Sequence, residues 1–343
     1  MNSKNVAVIG AGISGLYCAK LLSPDLDVTV FEKNERVGGR IQTDVIDGFL
    51  LDHGFQVFQP AYSEGKRAFD YSSLDLHYFD AGARIRLGKT FYEVSDPFRN
   101  PNKILATLRA PIGSLLDKFR ILKLRFIDPD DHSLEEISTL QFLHQLGFGS
   151  DIIERFFRPF FSGVFLEREL QTSARFFAYL YRLFAVSEVA IPKNGMMQLA
   201  NQLATDASFE LRLGEAVDPN VLKSDFDYVI QAYNTWQSGF RKVTTDYFVS
   251  STLKIDSPLL YLNGNPNGCI NHLAPMSTVS KSYSLSEKSL LSVNLLVPHI
   301  NASVTEVNNQ LHDWFPGHQF EHLKITLHQA IMHLILIYCS YQL

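Results

Sequence analysis

The chain has 343 residues, 46% of them hydrophobic, which is enough to bury a large core and points to about two domains. A formal net charge of −5 and a pI near 6.1 exclude nucleic acid as the main partner. The three cysteines, Cys18, Cys269 and Cys339, form neither an even framework nor a C-x-x-C pair and read as reduced thiols of a cytosolic compartment.

In chain order, Val6-Ala7-Val8-Ile9 is a short apolar run with the composition of a buried parallel strand. Gly10, Gly12 and Gly15 follow at G-x-G-x-x-G spacing, and a helical pattern runs from Ile13 to Leu22. Gly10 permits the tight turn, Gly12 admits a pyrophosphate to the backbone, and Gly15 lets helix and strand pack closely. The helix start, Ala11 to Gly15 with Ile13 and Ser14, then offers unpaired N–H groups to phosphate. A second strand, Val28 to Phe31, ends at Glu32, twenty-two residues after Gly10, where a carboxylate can take ribose hydroxyls. The unit predicts an α/β, Rossmann-like dinucleotide-binding domain and leaves NAD and FAD both open. Because the glycine motif lies inside the N-terminal apolar stretch, a signal peptide is not expected.

The next residues distinguish the two cofactors by resemblance. Glu32-Lys33-Asn34-Glu35-Arg36-Val37-Gly38-Gly39-Arg40 resembles the E-x-x-x-R-x-G-G-R extension of the flavin amine oxidase, protoporphyrinogen oxidase and phytoene desaturase superfamily. The resemblance implies FAD, with Glu32 and Lys33 at the adenosine and Gly38, Gly39 and Arg40 beside the diphosphate. It further implies an FAD-binding domain over 1–75 plus 190–240, interleaved with a substrate domain of helices and a mixed sheet over 76–189 plus 241–310, and an atypical tail over 311–343.

Onward, Ile41 to Val57 reads as two short strands around Asp47-Gly48, and Phe49 to Phe55 resembles the family segment that passes beside the flavin ring, so Gly54 and Phe55 are carried over. His53 is a catalytic candidate, with backbone orientation as the favoured alternative. From about Tyr62 to Ile191 the pattern is helical and aromatic. Between Arg99 and Phe126 seven basic residues stand against the single acid Asp117, and Leu115, Phe119, Leu122 and Phe126 share one helix face. Packing of that stripe on the core is the favoured reading, and peripheral membrane contact the alternative. Arg155 to Leu166 resembles the R-P-F-x-x-G-V-F-L segment of bacterial phytoene-desaturase-like enzymes, and Phe176, Leu180, Leu183 and Phe184 share a face of the next helix. Such aromatic content favours a hydrophobic substrate over a small polar one. Ile191 to Met197 resembles the P-x-G-G-M turn back to the cofactor domain, with Asn194 in the place of the first glycine and able to take a left-handed backbone. A strand around Glu215-Ala216-Val217 resembles the one that meets the adenine, which carries over Val217. Asp225 to Ala232, Leu259 to Tyr261 and Leu290 to Leu296 complete the expected strands.

The resemblance ends near residue 323. The family's Gly-Asp pair and the helix after it have no counterpart in Lys324 to Leu343, which contains no glycine, Asp or Glu. Ile325 to Leu343 is read as a substitute packing helix or an unrelated tail rather than a membrane span. The histidines at 318, 322, 328 and 333 converge with no cysteine or carboxylate set, so no metal is expected. The expected function is an FAD-dependent oxidoreductase that takes hydride from a small apolar or amine substrate, desaturase- or amine oxidase-like, with oxygen or a quinone as electron acceptor. The catalytic base is unassigned. An FAD-binding protein without turnover and an inactive truncated relative are the alternatives.

Overall fold

The computed structural model describes residues 4–205, 208–233 and 240–331. It opens with β1 (Asn5–Ile9), α1 (Ile13–Leu22) and β2 (Asp27–Glu32), then a hairpin of β3 (Thr43–Ile46) and β4 (Phe49–Asp52). Asp47 and Gly48, both at positive φ, form the two-residue turn of that hairpin, as the Asp-Gly pair predicts. Next come β5 (Leu76–Tyr78), β6 (Gly82–Leu87) and β7 (Thr90–Ser95). The longer helices of the middle region are α2 (Leu115–Lys123), α3 (Arg158–Phe165) and α4 (Ala174–Val186). The return is made by β8 (Ala190–Pro192), α5 (Met197–Thr205), β9 (Glu210–Leu213) and β10 (Tyr228–Gln231). The last part holds β11 (Phe240–Ser250), β12 (Leu260–Asn263), β13 (Ile270–Ala274), β14 (Ser289–Leu296), α6 (Val304–Trp314) and β15 (Glu321–Ile331).

Two sheets organise these elements. The first is parallel in the order β10-β1-β2-β9, with Val6, Val8, Val28 and Val30 buried against Leu16, Ala19, Ala200 and Leu203 of α1 and α5. Apolar residues on both faces are what a parallel strand flanked by helices requires. The second sheet runs β15-β11-β14-β13-β12-β6-β7 and is antiparallel except where β12 meets β6. Its faces carry three further clusters. One joins β6 and β12 to the aromatic residues of α3 and α4, one surrounds Leu51, Tyr247 and Tyr283, and one packs α6 through Val307, Leu311 and Trp314.

Several expectations are corrected. The stretch from Tyr62 to Ile191 is not uniformly helical but contains β5, β6 and β7, in which Arg84 and Arg86 break the apolar signal of a strand. No strand covers Glu215 to Val217. The strand beside β2 is β9, a few residues earlier, and Gly214 at φ +72 turns the chain out of it. Asn194 does not take the left-handed backbone of its turn; Gly195 does, at φ +90. The tail is no packing helix where it is described. Residues 321–331 form β15, antiparallel to β11, and 332–343, with His333 and Cys339, lie outside the described residues. Nor does the stripe on α2 pack on the core. Leu115 and Phe119, and Phe126 just beyond the helix, are 58%, 59% and 87% exposed, Leu122 is half-buried, and it is Asp117, in a capping box with Ser114, that points inward.

Candidate active site

The glycine turn is closed by hydrogen bonds. The Gly10 N–H donates to the Phe31 carbonyl at 2.7 Å, and the Gly38 N–H donates to the Ala11 carbonyl at 2.8 Å. Gly12 and Gly38 form a parallel bridge, and a Cβ on Gly39, which sits at φ +57, would stand 3.4 Å from the Gly12 Cα. The two glycine pairs read separately from the sequence are thus one surface. The helix behind it has no capping side chain and no acid in its first turn, and its first internal bond is from Leu16 N–H to the Gly12 carbonyl. The N–H groups of Ile13, Ser14 and Gly15 have no partner within the helix, as at any α-helix start. A Cβ on Gly12 would meet nothing within 4 Å, whereas one on Gly15 would lie 1.9 Å from the Gly10 carbonyl oxygen. Gly15 is needed by the fold, and Gly12 faces open space that a cofactor's phosphates can fill.

Glu32 ends β2 with its carboxylate buried. Oε2 accepts from the Ala11 N–H at 2.9 Å, and Oε1 accepts from the Asn34 backbone at 3.0 Å and the Asn34 side chain at 2.7 Å. A carboxylate offers about four lone-pair sites, so one acceptor direction is left for a ribose hydroxyl. Lys33 is exposed and makes no bond among the described residues, and Arg40 has no ion pair among them. Val217 is half-buried against a cluster that includes Ile9 and Phe31, at the ends of the central strands β1 and β2, and Leu222. It therefore sits on the Glu32 side of the cradle although it belongs to no strand. Arg36 bonds Asp44 at 2.8 Å, and Asp44 also receives His53 Nε2 at 2.7 Å and the Lys324 ammonium of β15. Burial opposes ionisation of Asp44, but the hydrogen bonds from Lys324, His53 and Arg36 outweigh it and hold its carboxyl well below the usual range. His53 thereby ties the end of β4 back to β3 of the same hairpin, and Asp44 carries the link on to β15.

Beyond the hairpin, Gly54 turns at φ +96 and the Phe55 N–H donates to Thr245 Oγ1 at 3.2 Å. The Thr245 hydroxyl donates to Asn294 Oδ1 at 2.6 Å, so Phe55 is tied to the middle of the seven-stranded sheet. Beneath lies Asp52, fully buried, which accepts from Thr43 Oγ1 at 2.6 Å, the Met196 N–H at 2.9 Å and the Tyr283 hydroxyl at 2.8 Å. Burial pushes its carboxyl up against the effect of these donors. The Tyr247 hydroxyl reaches the Asp52 carbonyl at 2.9 Å.

Phe55 also borders a cavity of about 490 Å³. Phe79, Phe156, Phe160, Phe184 and Ile112 make its walls, and Phe119 and Ile104 stand at its exposed mouth. Of the aromatic residues singled out in the sequence, Phe156, Phe160, Phe161 and Phe184 line it, while Phe157, Phe165 and Phe176 are core. Sequence reading missed His272, which lines the same cavity with its ring centroid 5.1 Å from that of Phe55. It also missed Thr245, Asn294 and Asp52. Each is a polar residue inside or beside an apolar run, with partners 9 to 231 positions away, and no local pattern marks such contacts. Among the described residues no three His, Cys, Asp or Glu side chains cluster as metal ligands, and no helix is long and apolar enough to cross a membrane.

The cradle fits FAD by shape. The second glycine pair lies against the first, the first helix N–H groups have no partner within the helix, and the open face at Gly12 leads by way of the hairpin to Phe55. The chain is 32% identical over 173 residues to protoporphyrinogen oxidase 2 of Arabidopsis thaliana, covering 48% of this chain and 33% of that protein. It is 41% identical over 85 residues to a 4,4'-diapophytoene desaturase of Staphylococcus haemolyticus, covering 22% of this chain and 17% of that one. The chain thus spans a third or less of the length of these curated relatives. Among solved structures, an oxidoreductase from Methanosarcina mazei shares the fold with a TM-score of 0.72 at 16% identity, over 94% of this chain and 87% of that one. Putrescine oxidase bound to putrescine shares it with a TM-score of 0.60 at 16% identity, over 93% and 84%. The family described as flavin containing amine oxidoreductase matches residues 13–219, more than half of the sequence. The chain therefore belongs to the flavin containing amine oxidoreductase family, for which FAD is the cofactor.

Proposed function

We propose that this chain is an FAD-dependent oxidoreductase that removes hydride from an apolar substrate held in the aromatic cavity. The observation that carries the reading is the continuity of the two parts, since Phe55 follows directly on the glycine-rich cradle and hairpin and itself bounds the cavity. When bound, FAD supplies the redox chemistry, accepting hydride and passing the electrons to oxygen or a quinone. The chain's own residues bind and orient. Gly10, Ala11, Gly12, Ile13, Ser14 and Gly15 present their backbone to the diphosphate, together with Gly38, Gly39 and Arg40. Glu32 receives the ribose, with Val217 and Lys33 at the adenosine. Gly54 and Phe55 pass the flavin ring, and Phe156, Phe160 and Phe184 keep water from the reacting carbon. Most of the cavity's lining is apolar; of its carboxylates, Asp96 and Glu188 are paired with Arg99, and Asp80 is next to Phe79, whose ring lies 6.0 Å from that of Phe55. The apolar lining favours an alkene or other apolar molecule over an amine.

The visible spectrum of the purified chain, with and without added FAD, tests the reading. Bound flavin that bleaches under an anaerobic reductant, and recovers in air when an apolar substrate is absent, is expected. Flavin that binds but is never reduced by any apolar alkene or amine would favour an FAD-binding protein without turnover. No uptake of FAD would favour an inactive relative.

The exposed face of α2 supports a further part of this proposal, peripheral contact with an anionic membrane from which an apolar substrate enters. Leu115, Leu116, Phe119 and Phe126 project beside the cavity mouth among basic residues. Lys118 is bonded to the carbonyls of Leu108 and Ala110, and Arg125 to Asp96, so the apolar side chains carry most of the contact. Co-sedimentation with phosphatidylglycerol vesicles should be lost in a Leu116→Ser, Phe119→Ser, Phe126→Ser variant. Unchanged sedimentation would remove the membrane from the proposal.

A further inference from the structure

His272 stands at the inner end of the cavity, 4% exposed, on β13 opposite Asn294. Its proton can be placed from its neighbours. The Asn271 side-chain amide donates to the Pro159 carbonyl at 3.0 Å and lies 2.9 Å from His272 Nδ1. An amide nitrogen has two hydrogens and no lone pair to accept with, so Nδ1 is the acceptor in this pair and the neutral ring carries its hydrogen on Nε2. That nitrogen is buried and has no hydrogen-bond partner among the described residues. A buried donor left unpaired is rare and asks for an explanation. The nearby Phe55 ring gives it at most a weak aromatic contact. Gly163 makes room for the ring, since a Cβ there would lie 2.7 Å from it. Burial also keeps the ring from becoming a cation.

We propose that the Nε2–H of His272 is the hydrogen-bond donor that positions substrate beside Phe55, so that the preferred substrate is an apolar molecule bearing an uncharged acceptor, such as a carbonyl or ester oxygen, rather than a pure hydrocarbon or an alkylammonium. The inference rests on the reading that the cavity is the substrate site. Phe55, half-buried and lining the same cavity, is the side chain that shifts to admit the acceptor. An ammonium finds only a donor there, and a hydrocarbon leaves the donor unpaired, which is how a polar group in an apolar site discriminates. His272 touches the substrate but takes no proton from it.

The test uses the full chain, with and without FAD, and three probes of equal chain length: methyl laurate, dodecane and dodecylamine. Binding is followed by tryptophan fluorescence and thermal shift, and the His272 ring by nitrogen NMR. Methyl laurate is expected to bind about ten-fold more tightly than dodecane, dodecylamine more weakly than methyl laurate, and the Nε2–H signal to move only with methyl laurate. In His272→Phe the ester preference should vanish while dodecane affinity stays the same, and His272→Gln, which keeps a donor, should retain part of it. An ester preference that survives in His272→Phe, or none in the native chain, overturns the proposal. So does an Nε2–H signal moved by FAD alone, which would assign the donor to the cofactor. Because the probes are read without FAD as well, failure of flavin binding would sink the redox reading and leave this result legible.

Discussion

The dinucleotide cradle and the apolar cavity are built by opposite means. In the cradle most contacts are made by backbone, and its glycines work because a side chain is absent, with Glu32 as the side chain that completes it. Gly10, Gly12, Gly15, Gly38 and Gly39 come from two short segments, joined by the Gly38 to Ala11 bond and the Gly12–Gly38 bridge. The cavity is shaped by side chains drawn from β6, α2, α3, α4 and β13, and Phe55 at its border is anchored to the seven-stranded sheet through Thr245 and Asn294. The contrast teaches that the cradle depends on a few backbone positions with no substitute, whereas the cavity tolerates exchange of one apolar residue for another of its size and is sensitive at its few buried polar groups.

The largest effects are expected where the cradle has no slack. An alanine at Gly15 places its Cβ 1.9 Å from the Gly10 oxygen and 3.1 Å from the Ala232 Cβ. The turn or α1 must then move, at about 4 kcal/mol or more. Gly12→Ala is the control. Its Cβ meets nothing within 4 Å and its φ of −74° is ordinary, so urea unfolding should be unchanged within about 0.5 kcal/mol. FAD affinity should nevertheless fall at least about a hundred-fold, because the methyl occupies the phosphate face. A Gly12→Ala chain that takes up FAD normally would show that the cofactor does not lie on this face.

The same contrast decides how much was legible. β1, α1, β2 and the Asp47-Gly48 hairpin were readable because every residue that makes them lies within a few positions of its partners. β9 was misplaced by a few residues because Glu210-Leu211-Arg212-Leu213 is a half-exposed strand of alternating polarity, while the apolar Ala216-Val217 beside it drew the assignment. In β6, Arg86 is buried yet bonded to Asp313 and to the Trp314 carbonyl, 227 and 228 positions away, so its charge misled where only the partner explains it. The stripe on α2 was periodic, and periodicity identifies a face without saying what covers it. His272 and Asn271 carry no local sign at all.

A medium effect is expected at the polar base of the cavity region. Asp52→Leu leaves the Thr43 hydroxyl, the Met196 N–H and the Tyr283 hydroxyl without their acceptor in a buried site. A loss of about 2–3 kcal/mol should follow, with Tyr283→Phe, which removes one of these bonds, losing about 1 kcal/mol. If Asp52→Leu unfolds at the native urea midpoint, the hydrogen bonds drawn to it do not hold the hairpin.

The smallest expected effect concerns pH and isolates the cavity from the cradle. Burial pushes the His272 imidazole down to about 3, from an ordinary value of 6.5. The unfolded chain therefore takes up a proton below 6.5 that the folded chain refuses until about 3. Stability from the neutral ring is fully present above that upper value and is lost as the pH falls through the window, at no more than about 1.4 kcal/mol per pH unit. Asp52 and Asp246, whose carboxyls burial pushes up, act in the opposite sense, since the folded chain holds their protons longer as pH rises. Asp44, held low, loses its contribution only in stronger acid, below its ordinary value. Subtracting the His272→Phe profile cancels these carboxylates and leaves the imidazole. Between about pH 7 and about pH 5 the native chain should lose about 2 kcal/mol more than His272→Phe. Parallel profiles would mean that the folded chain takes up the ring's proton as readily as the unfolded one, so that below its ordinary value a cationic donor beside Phe55 would select anions in place of esters.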